Sequence, residues 1–134
     1  MKRYYLVNTN NNYRPNWERQ MLRKNQVTAA YGPKEKTDVI KRGDIVFLYR
    51  NCVGIIAYGI ADGKLIIRNF EGYMDEQHLM HIDRFRIIKF PIKPSEVTKL
   101  SRKLASTGIF YARTVSPIRP QVGKALLGLF KQRN

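Results

Sequence analysis

The stretch that decides the fold is residues 43–59, which read GDIVFLYRNCVGIIAYG. Its β-branched and aromatic residues form two short runs that are interrupted at Asn51 and Cys52, the pattern of two strands joined by a tight turn. Both faces of each predicted strand are largely apolar. A strand with two apolar faces is usually buried on both sides, so this hairpin is expected to be the centre of the domain.

Shorter β-type runs and three amphipathic segments surround this hairpin. Strands are expected at residues 4–7, 27–31, 64–68, 84–90 and 110–115, whereas residues 69–81 are predicted to be irregular. Helices are expected at residues 17–24 after an Asn16 cap, at residues 95–105 with Ser95 as the cap, and at residues 120–130. So many short β runs favour an α+β barrel flanked by helices over a doubly wound parallel sheet.

Length and composition limit the classes of protein. The chain has 134 residues, of which 43% are hydrophobic, enough to bury a core. No repeat divides it, so residues 1–134 are expected to form one domain. One cysteine, Cys52, cannot form an internal disulfide, and no apolar run reaches the ~20 residues of a membrane span. Because the first residues also lack the pattern of a signal peptide, a cytoplasmic location is expected.

The charge is strongly unbalanced. Lys and Arg number 25 against 10 Asp and Glu, which gives a formal net charge of +15. A field of this sign attracts polyanions and makes their binding salt dependent. Nucleic acid is therefore the expected partner and a membrane is not, with a purely solubilising surface as the alternative explanation of the charge.

Catalytic and metal-binding patterns are weak. His78 and His81 are three residues apart, but a third ligand at a recognised spacing is missing, so surface or capping roles are expected for both. Cys52 lies in an apolar hairpin, which favours a small buried side chain over a nucleophile. Phosphate-loop, dinucleotide-binding and serine-hydrolase motifs are absent from the sequence. A binding protein rather than an enzyme is expected, with neither a metal nor a cofactor.

Aromatic residues lie among basic residues on both sides of the central hairpin. This mixture suits a base stacked on an aromatic ring while cations hold the phosphates. Core packing is the alternative for each aromatic residue, including Trp17 and Tyr49. Phosphate contacts are expected from five basic residues, namely Arg14, Arg19, Lys34, Lys36 and Arg50.

The order of these segments resembles the EVE-type members of the PUA-like superfamily, which also includes YTH and ASCH domains. The resemblance covers essentially the whole chain and is carried by residues 16–19 (NWER), 27–32 (VTAAYG), 40–49 (IKRGDIVFLY) and 53–59 (VGIIAYG). It implies a small, partly open, mixed or antiparallel β-barrel flanked by helices. It also implies a concave pocket that accepts a single extruded and often methylated base.

The resemblance places the pocket between the loop after the first strand and the end of the strand at residues 43–49. It implies Asn8, Trp17, Tyr31 and Tyr49 as walls and Asn51 as a reader of the base edge. The tryptophan pair of many YTH domains is absent, since Trp17 is the sole tryptophan, so tyrosines would replace one wall. Stacking in such a pocket contributes ~1–3 kcal/mol per base, and an asparagine offers both a donor and an acceptor.

The expected function is therefore recognition of a flipped, modified base, such as methylated cytosine or adenine, with DNA ahead of RNA. The setting that the resemblance implies is modification-dependent restriction or defence, with a separate nuclease or ATPase subunit as a candidate partner. Three alternatives stay open: an RNA-binding reader, a domain that binds a protein or small ligand, and an ASCH-like hydrolase. The last would require Lys41 and Asp44 to face one pocket.

Overall fold

The fold consists of seven strands and three α-helices in the part of the chain that a computed structural model describes, residues 2–9, 15–30, 34–109, 111 and 113–133. The side chains of Pro15, Ala30 and residues 34–36 are outside this description. The elements follow in the order β1 (Tyr4–Asn8), α1 (Pro15–Lys24), β2 (Gln26–Ala30), a 3₁₀ helix (Lys34–Val39), β3 (Ile45–Arg50), β4 (Gly54–Ala61), β5 (Ile66–Phe70), β6 (Tyr73–Ile92), α2 (Pro94–Ala105), β7 (Val115–Ile118) and α3 (Pro120–Arg133).

The strands form one mixed sheet in the order β2-β6-β4-β3-β1-β7, with β5 paired to β6. β1 and β3 run parallel, and every other described pairing is antiparallel. Among the described strands, β2 and β7 do not pair with each other, so the sheet stays open between them. The predicted class was an α+β fold, a mixed or antiparallel and partly open β-barrel flanked by helices. It is confirmed in the form of a mixed, mostly antiparallel seven-stranded sheet with three α-helices.

The central strand β3 is buried on both faces, as its sequence predicts. Phe47 and its neighbours on one face belong to a core that includes Phe130 of α3. Leu48 and its neighbours on the other face pack in a second core with Met21 of α1. Apolar residues on both faces of β3 are therefore needed because helices cover the sheet on two sides.

Four aromatic rings form a column through the first core. Tyr4 lies over Phe47 with ring centroids 6.5 Å apart, Phe47 contacts Phe130 at 5.5 Å, and Phe130 stacks on Tyr58 at 4.5 Å. A Cβ added to Gly123 of α3 would lie 2.3 Å from the Tyr4 ring. Glycine at that position therefore allows α3 to approach β1 closely enough for the column to form.

Gly54 at the start of β4 allows another close approach, in agreement with the role expected of a glycine inside a strand run. Its φ is +123°, and an added Cβ would lie 2.0 Å from the carbonyl oxygen of Ile92 at the end of β6. A side chain at this position would push β6 away from β4.

The prediction that residues 69–81 are irregular is wrong. They contain the end of β5, a two-residue turn and the start of β6, a 20-residue strand that pairs with β5, β2 and β4. Positive φ angles at Asp75 (54°) and Arg84 (50°) and shifts in register allow so long a strand to turn from one partner to the next. The strand was missed because its first residues, Tyr73, Met74 and Asp75, are all exposed and do not alternate between buried and exposed positions.

Two predicted helix starts are also wrong. α2 begins at Pro94, and Lys93 is its N-cap residue without a side-chain capping hydrogen bond. Ser95 therefore lies inside the first turn, because proline is well suited to the first helical position, where no N–H is needed. α1 begins at Pro15, so Asn16 lies within that helix.

Three smaller expectations fail as well. The last strand is Val115–Ile118 rather than residues 110–115, and Phe110 and Ala112 are outside the described residues. Cys52 is exposed, since it lies in the β3–β4 turn with φ of 67°. His78 is buried, and its Nδ1 lies 2.8 Å from Oδ1 of Asp38 in the 3₁₀ helix.

The described residues contain neither a membrane-spanning helix nor a candidate metal site. None of the described helices is both long and apolar enough to cross a bilayer. Within the same part of the chain, no group of three histidine, cysteine or acidic side chains is placed to hold a metal ion.

Candidate functional site

The candidate site lies where the parallel strands β1 and β3 end. Their register pairs Asn8 with Tyr49, and the backbone N–H of Thr9 donates to the carbonyl oxygen of Tyr49 at 3.0 Å. The chain continues from β1 towards α1 and from β3 into a turn that contains Asn51. Because two parallel strands end at one edge of a sheet, these segments bring their side chains together there.

Two asparagine amides form the polar centre of the site. Nδ2 of Asn8 donates to Oδ1 of Asn51 at 2.9 Å and to the carbonyl oxygen of Tyr111 at 2.8 Å. Asn8 is 2% exposed, whereas Asn51 is half-buried. Within the described residues the Asn51 Nδ2 group donates to no other group, so its two N–H donors can serve a ligand.

A pair of tyrosines forms one wall beside these amides. The rings of Tyr49 and Tyr111 stack with centroids 4.7 Å apart. The Tyr111 hydroxyl donates to the carbonyl oxygen of Pro94 at 2.9 Å and therefore accepts from the Thr98 hydroxyl at 2.6 Å. Burial raises the pKa of both tyrosines, and the proximity of Tyr111 raises the pKa of Tyr49 further. The wall is therefore uncharged at neutral pH.

Glu18 of α1 connects the helix to the ends of both strands. Its Oε1 accepts from the Thr9 hydroxyl at 2.8 Å, and its carboxylate accepts from Nε and Nη2 of Arg50, the latter at 2.6 Å. The Glu18 side chain is 5% exposed and that of Arg50 is 38% exposed. The hydrogen bond to Glu18 is the main reason that the pKa of Arg50 is raised. Arg50, predicted to hold phosphate, thus has its charge paired and positions α1.

Trp17 precedes Glu18 on α1 and is buried. Its ring meets that of Phe70, at the end of β5, edge to face with centroids 5.6 Å apart. The buried indole therefore packs against the residue that ends β5. Packing against Phe70 agrees with the core alternative for Trp17.

Of the other five predicted site residues, only Arg19 has a described side chain. Arg19 is exposed on α1, where it can meet a phosphate. Tyr31 and Arg14 lie outside the described residues, and so do the side chains of Lys34 and Lys36. The roles assigned to these four residues stay predictions.

The hydrolase alternative does not agree with the position of Asp44. This carboxylate is buried just before β3, at the opposite end from Asn8 and Tyr49. It accepts from the backbone N–H groups of Arg3 at 3.0 Å and Lys41 at 2.8 Å, and Nζ of Lys41 donates to the carbonyl oxygen of Asp38. Asp44 therefore holds the turn into β3 and does not face the candidate site with Lys41.

Sequence reasoning missed several members of the site. Tyr111, Thr9 and Glu18 were not predicted, although all three contact predicted residues. The aromatic residue at position 111 was the one available signal for the tyrosine wall, and it was assigned to a strand. Phe70 was likewise treated as part of an irregular segment.

The same overall fold is found in YTH domains of known structure. In a comparison with solved structures, the YTH domain of CPSF4 from Toxoplasma, in the apo form, has a TM-score of 0.65 at 12% identity over 99% of this chain and 88% of that one. The YTH domain of the MRB1 protein of Zygosaccharomyces rouxii, in complex with N6-methyladenosine RNA, has a TM-score of 0.64 at 11% identity over 96% and 86%.

A third similar structure is human THYN1 in complex with DNA containing 5-methylcytosine. It has a TM-score of 0.52 at 12% identity over 96% of this chain and 98% of that one. No protein-family model matches the sequence, and no curated protein matches it. Because the sequence identities are only 11–12%, these comparisons establish a similar fold and do not establish a shared function.

Proposed function

We propose that this protein is a nucleic-acid-binding domain, formed by residues 1–134, that reads one modified base such as methylated cytosine or adenine. The observation that carries the proposal is the cluster at the ends of β1 and β3, where Asn51 presents its amide beside the stacked Tyr49 and Tyr111. The net charge of +15 supports a polyanionic ligand. Proteins of the same fold have been solved with N6-methyladenosine RNA and with 5-methylcytosine DNA, which supports a modified base.

The hydrogen bonds of the site indicate what kind of base edge it would read. Asn8 holds Oδ1 of Asn51, so the orientation of the Asn51 amide is fixed before a ligand arrives. Its remaining groups are N–H donors, which match a base edge that carries acceptors. The O2 and N3 atoms of cytosine are two neighbouring acceptors, and the pairing edge of N6-methyladenine carries one. A base must leave its stack to offer this edge, so the proposal includes base flipping.

Arg19 supplies the sequence-independent part of binding in this proposal. It is exposed on α1, directly after Glu18 in the sequence, and can hold a phosphate of the strand from which the base is extruded. We propose DNA ahead of RNA as the ligand and modification-dependent restriction or defence as the setting. A separate nuclease or ATPase subunit is the proposed partner, because a domain that only reads a base needs another chain to act on it.

The test is binding to oligonucleotides that differ at one base: cytosine, 5-methylcytosine, adenine or N6-methyladenine, in DNA and in RNA. Asn51→Ala is expected to weaken binding of the preferred oligonucleotide by about 1 kcal/mol, roughly fivefold, and to leave the others nearly unchanged. Arg19→Ala is expected to weaken all of them alike and to lower the salt slope by about one. Lys131→Ala, an exposed charge on α3, is the matched control.

Three outcomes would contradict the proposal. If Asn51→Ala melts as the parent does and keeps the parent's preference among bases, this site does not read the base. If the parent shows no preference but binding depends steeply on salt, the protein has a general basic surface only. If no oligonucleotide binds, the alternative of a domain for a protein or small ligand is favoured.

A further inference from the structure

A cavity of about 540 Å³ lies at the opposite end of β1, roughly 13 Å along the strand from Asn8. It is bounded by the start of β1, the residues that follow α2, strand β7 and the start of α3. Its volume is within the range of about 300–1,000 Å³ that is usual for small-molecule sites. None of the residues that build the candidate base-reading site lines it.

Positive charge gathers around this cavity. Lys2, Arg3, Arg113 and Arg119 line it, and none of the described residues that line it is acidic. Lys2, Arg3 and Arg119 form no ion pair within the described part of the chain. The first turn of α3, which begins beside Arg119, also contains no acidic residue, so the helix dipole adds to the same field. The cavity therefore attracts an anion.

Ser116 adds a polar group inside the cavity. It is 2% exposed and lies opposite Leu6 in the β1–β7 pairing, so its side chain lies on the same face of the sheet as Ile118, which also lines the cavity. Its hydroxyl forms no hydrogen bond with another described residue, whereas the Ser101 hydroxyl nearby donates to the carbonyl oxygen of Thr107 at 2.7 Å. The Ser116 hydroxyl can therefore donate to an oxygen of a ligand in the cavity.

The rest of the wall is apolar. Ile109, Pro117, Ile118 and Pro120 line the cavity, and these rigid or branched side chains offer surfaces on which a flat ring can pack. Arginine adds to this because its planar guanidinium both holds phosphate through paired donors and stacks on rings. The cavity thus combines cations for a phosphate with a wall for a base or sugar.

We infer that this cavity binds a phosphorylated nucleoside. Arg3 and Arg119 hold the phosphate, the Ser116 hydroxyl donates to one of its oxygens, and the apolar wall carries the base. A free nucleotide and a nucleotide unit of a strand share this chemistry. The inference does not depend on the base-reading function, because the two sites have no residue in common.

The test is an NMR titration of the ¹⁵N-labelled full chain with adenosine 5′-monophosphate, adenosine and inorganic phosphate. The amides of Ile109, Ser116 and Arg119 are expected to shift with the monophosphate and those of Asn8 and Asn51 to stay in place, with weaker binding of the other two probes. The double variant Arg3→Gln/Arg119→Gln is expected to weaken monophosphate binding by about tenfold or more. The matched control replaces two exposed lysines of α3 outside the cavity, Lys124→Gln/Lys131→Gln, and is expected to change it by less than about twofold.

The source of the nucleotide is decided by competition. If a 5′-phosphorylated oligonucleotide reverses the shifts that the monophosphate causes at Ser116, the ligand is part of a strand; if it does not, the ligand is a free nucleotide. Absence of shifts at the cavity would overturn the inference. It would also be overturned if adenosine bound as tightly as the monophosphate, or if both double variants weakened binding equally. Asn51→Ala leaves the cavity intact, so failure of base reading is distinguishable from failure here.

Discussion

The two ends of β1 differ in how their polar groups are partnered. At the carboxyl end, Asn8 is bonded to Asn51, and Arg50 is bonded to Glu18. At the amino end, Lys2, Arg3 and Arg119 line a cavity and form no ion pair with another described residue. Side chains that hold one another have fixed positions, and fixed donors are what discriminate between similar ligands. Unpaired cations attract an anion strongly but distinguish little beyond its charge.

The largest effect is expected from a change to the core that supports both ends. Leu126 of α3 is fully buried in the cluster that contains Tyr4 and Phe47. Leu126→Ala is expected to lower the free energy of unfolding by about 2–5 kcal/mol, because it leaves a cavity, and to weaken binding at both ends alike. Urea denaturation measures the loss, and Lys131→Ala on the exposed side of the same helix should stay within about 0.5 kcal/mol. Small, equal losses would show that α3 is not packed on the sheet.

The second prediction concerns one arginine from each end. Arg50→Ala leaves the buried Glu18 carboxylate with the Thr9 hydroxyl but without its guanidinium, so it is expected to lower the free energy of unfolding by about 2–3 kcal/mol. This loss is at the low end for a buried ion pair because the Arg50 side chain is partly exposed. Arg119→Ala is expected to cost less than about 0.5 kcal/mol.

A double variant tests the reason for this difference. Glu18→Gln in the Arg50→Ala background removes the negative charge that Arg50→Ala leaves without its guanidinium. The double variant is therefore expected to recover part of the lost stability, as measured by thermal unfolding. Equal losses from the two arginine variants would mean that the ends do not differ in pairing.

The smallest expected effect is the pH dependence of the tyrosine wall. Burial raises the pKa of Tyr49 and Tyr111, so above the ordinary value of about 10 the folded state retains protons that the unfolded state has lost. Their contribution to stability is therefore complete below about pH 10 and is lost as pH rises through the raised pKa. Melting temperatures across this range should fall less steeply for Tyr49→Phe than for the parent. Identical slopes would contradict burial of the Tyr49 hydroxyl.

Sequence patterns predicted those parts of the fold in which burial leaves a local signature. The two apolar faces of β3 and the apolar stripe of α3 could be recognised in the sequence because burial makes the residues at those positions apolar. Most of β6 could not be recognised as a strand from the sequence. At its start Tyr73, Met74 and Asp75 are all exposed, so the alternation of buried and exposed residues that marks a strand is missing there.

The candidate site was predictable where its members lie at strand ends and not where distant segments meet. Asn8 lies beside Tyr49 because β1 and β3 are parallel. The resemblance to EVE-type domains implied a pocket between these two strand ends but not the parallel pairing. Tyr111 lies 103 positions from Asn8, and Glu18 lies 32 from Arg50. No local pattern identifies such partners, because the tertiary arrangement decides which side chains meet.

The column of rings from Tyr4 to Tyr58 has a consequence for the order of folding. Phe47 and Tyr58 belong to one hairpin and can meet early, but each is stacked through Phe130 of α3, and Tyr4 comes from the first strand. The column therefore forms only after β1 and α3, which are more than a hundred positions apart in the sequence, have come into contact. Closing so long a loop costs entropy before any contact repays it, so we expect this chain to fold more slowly than helical proteins of its length.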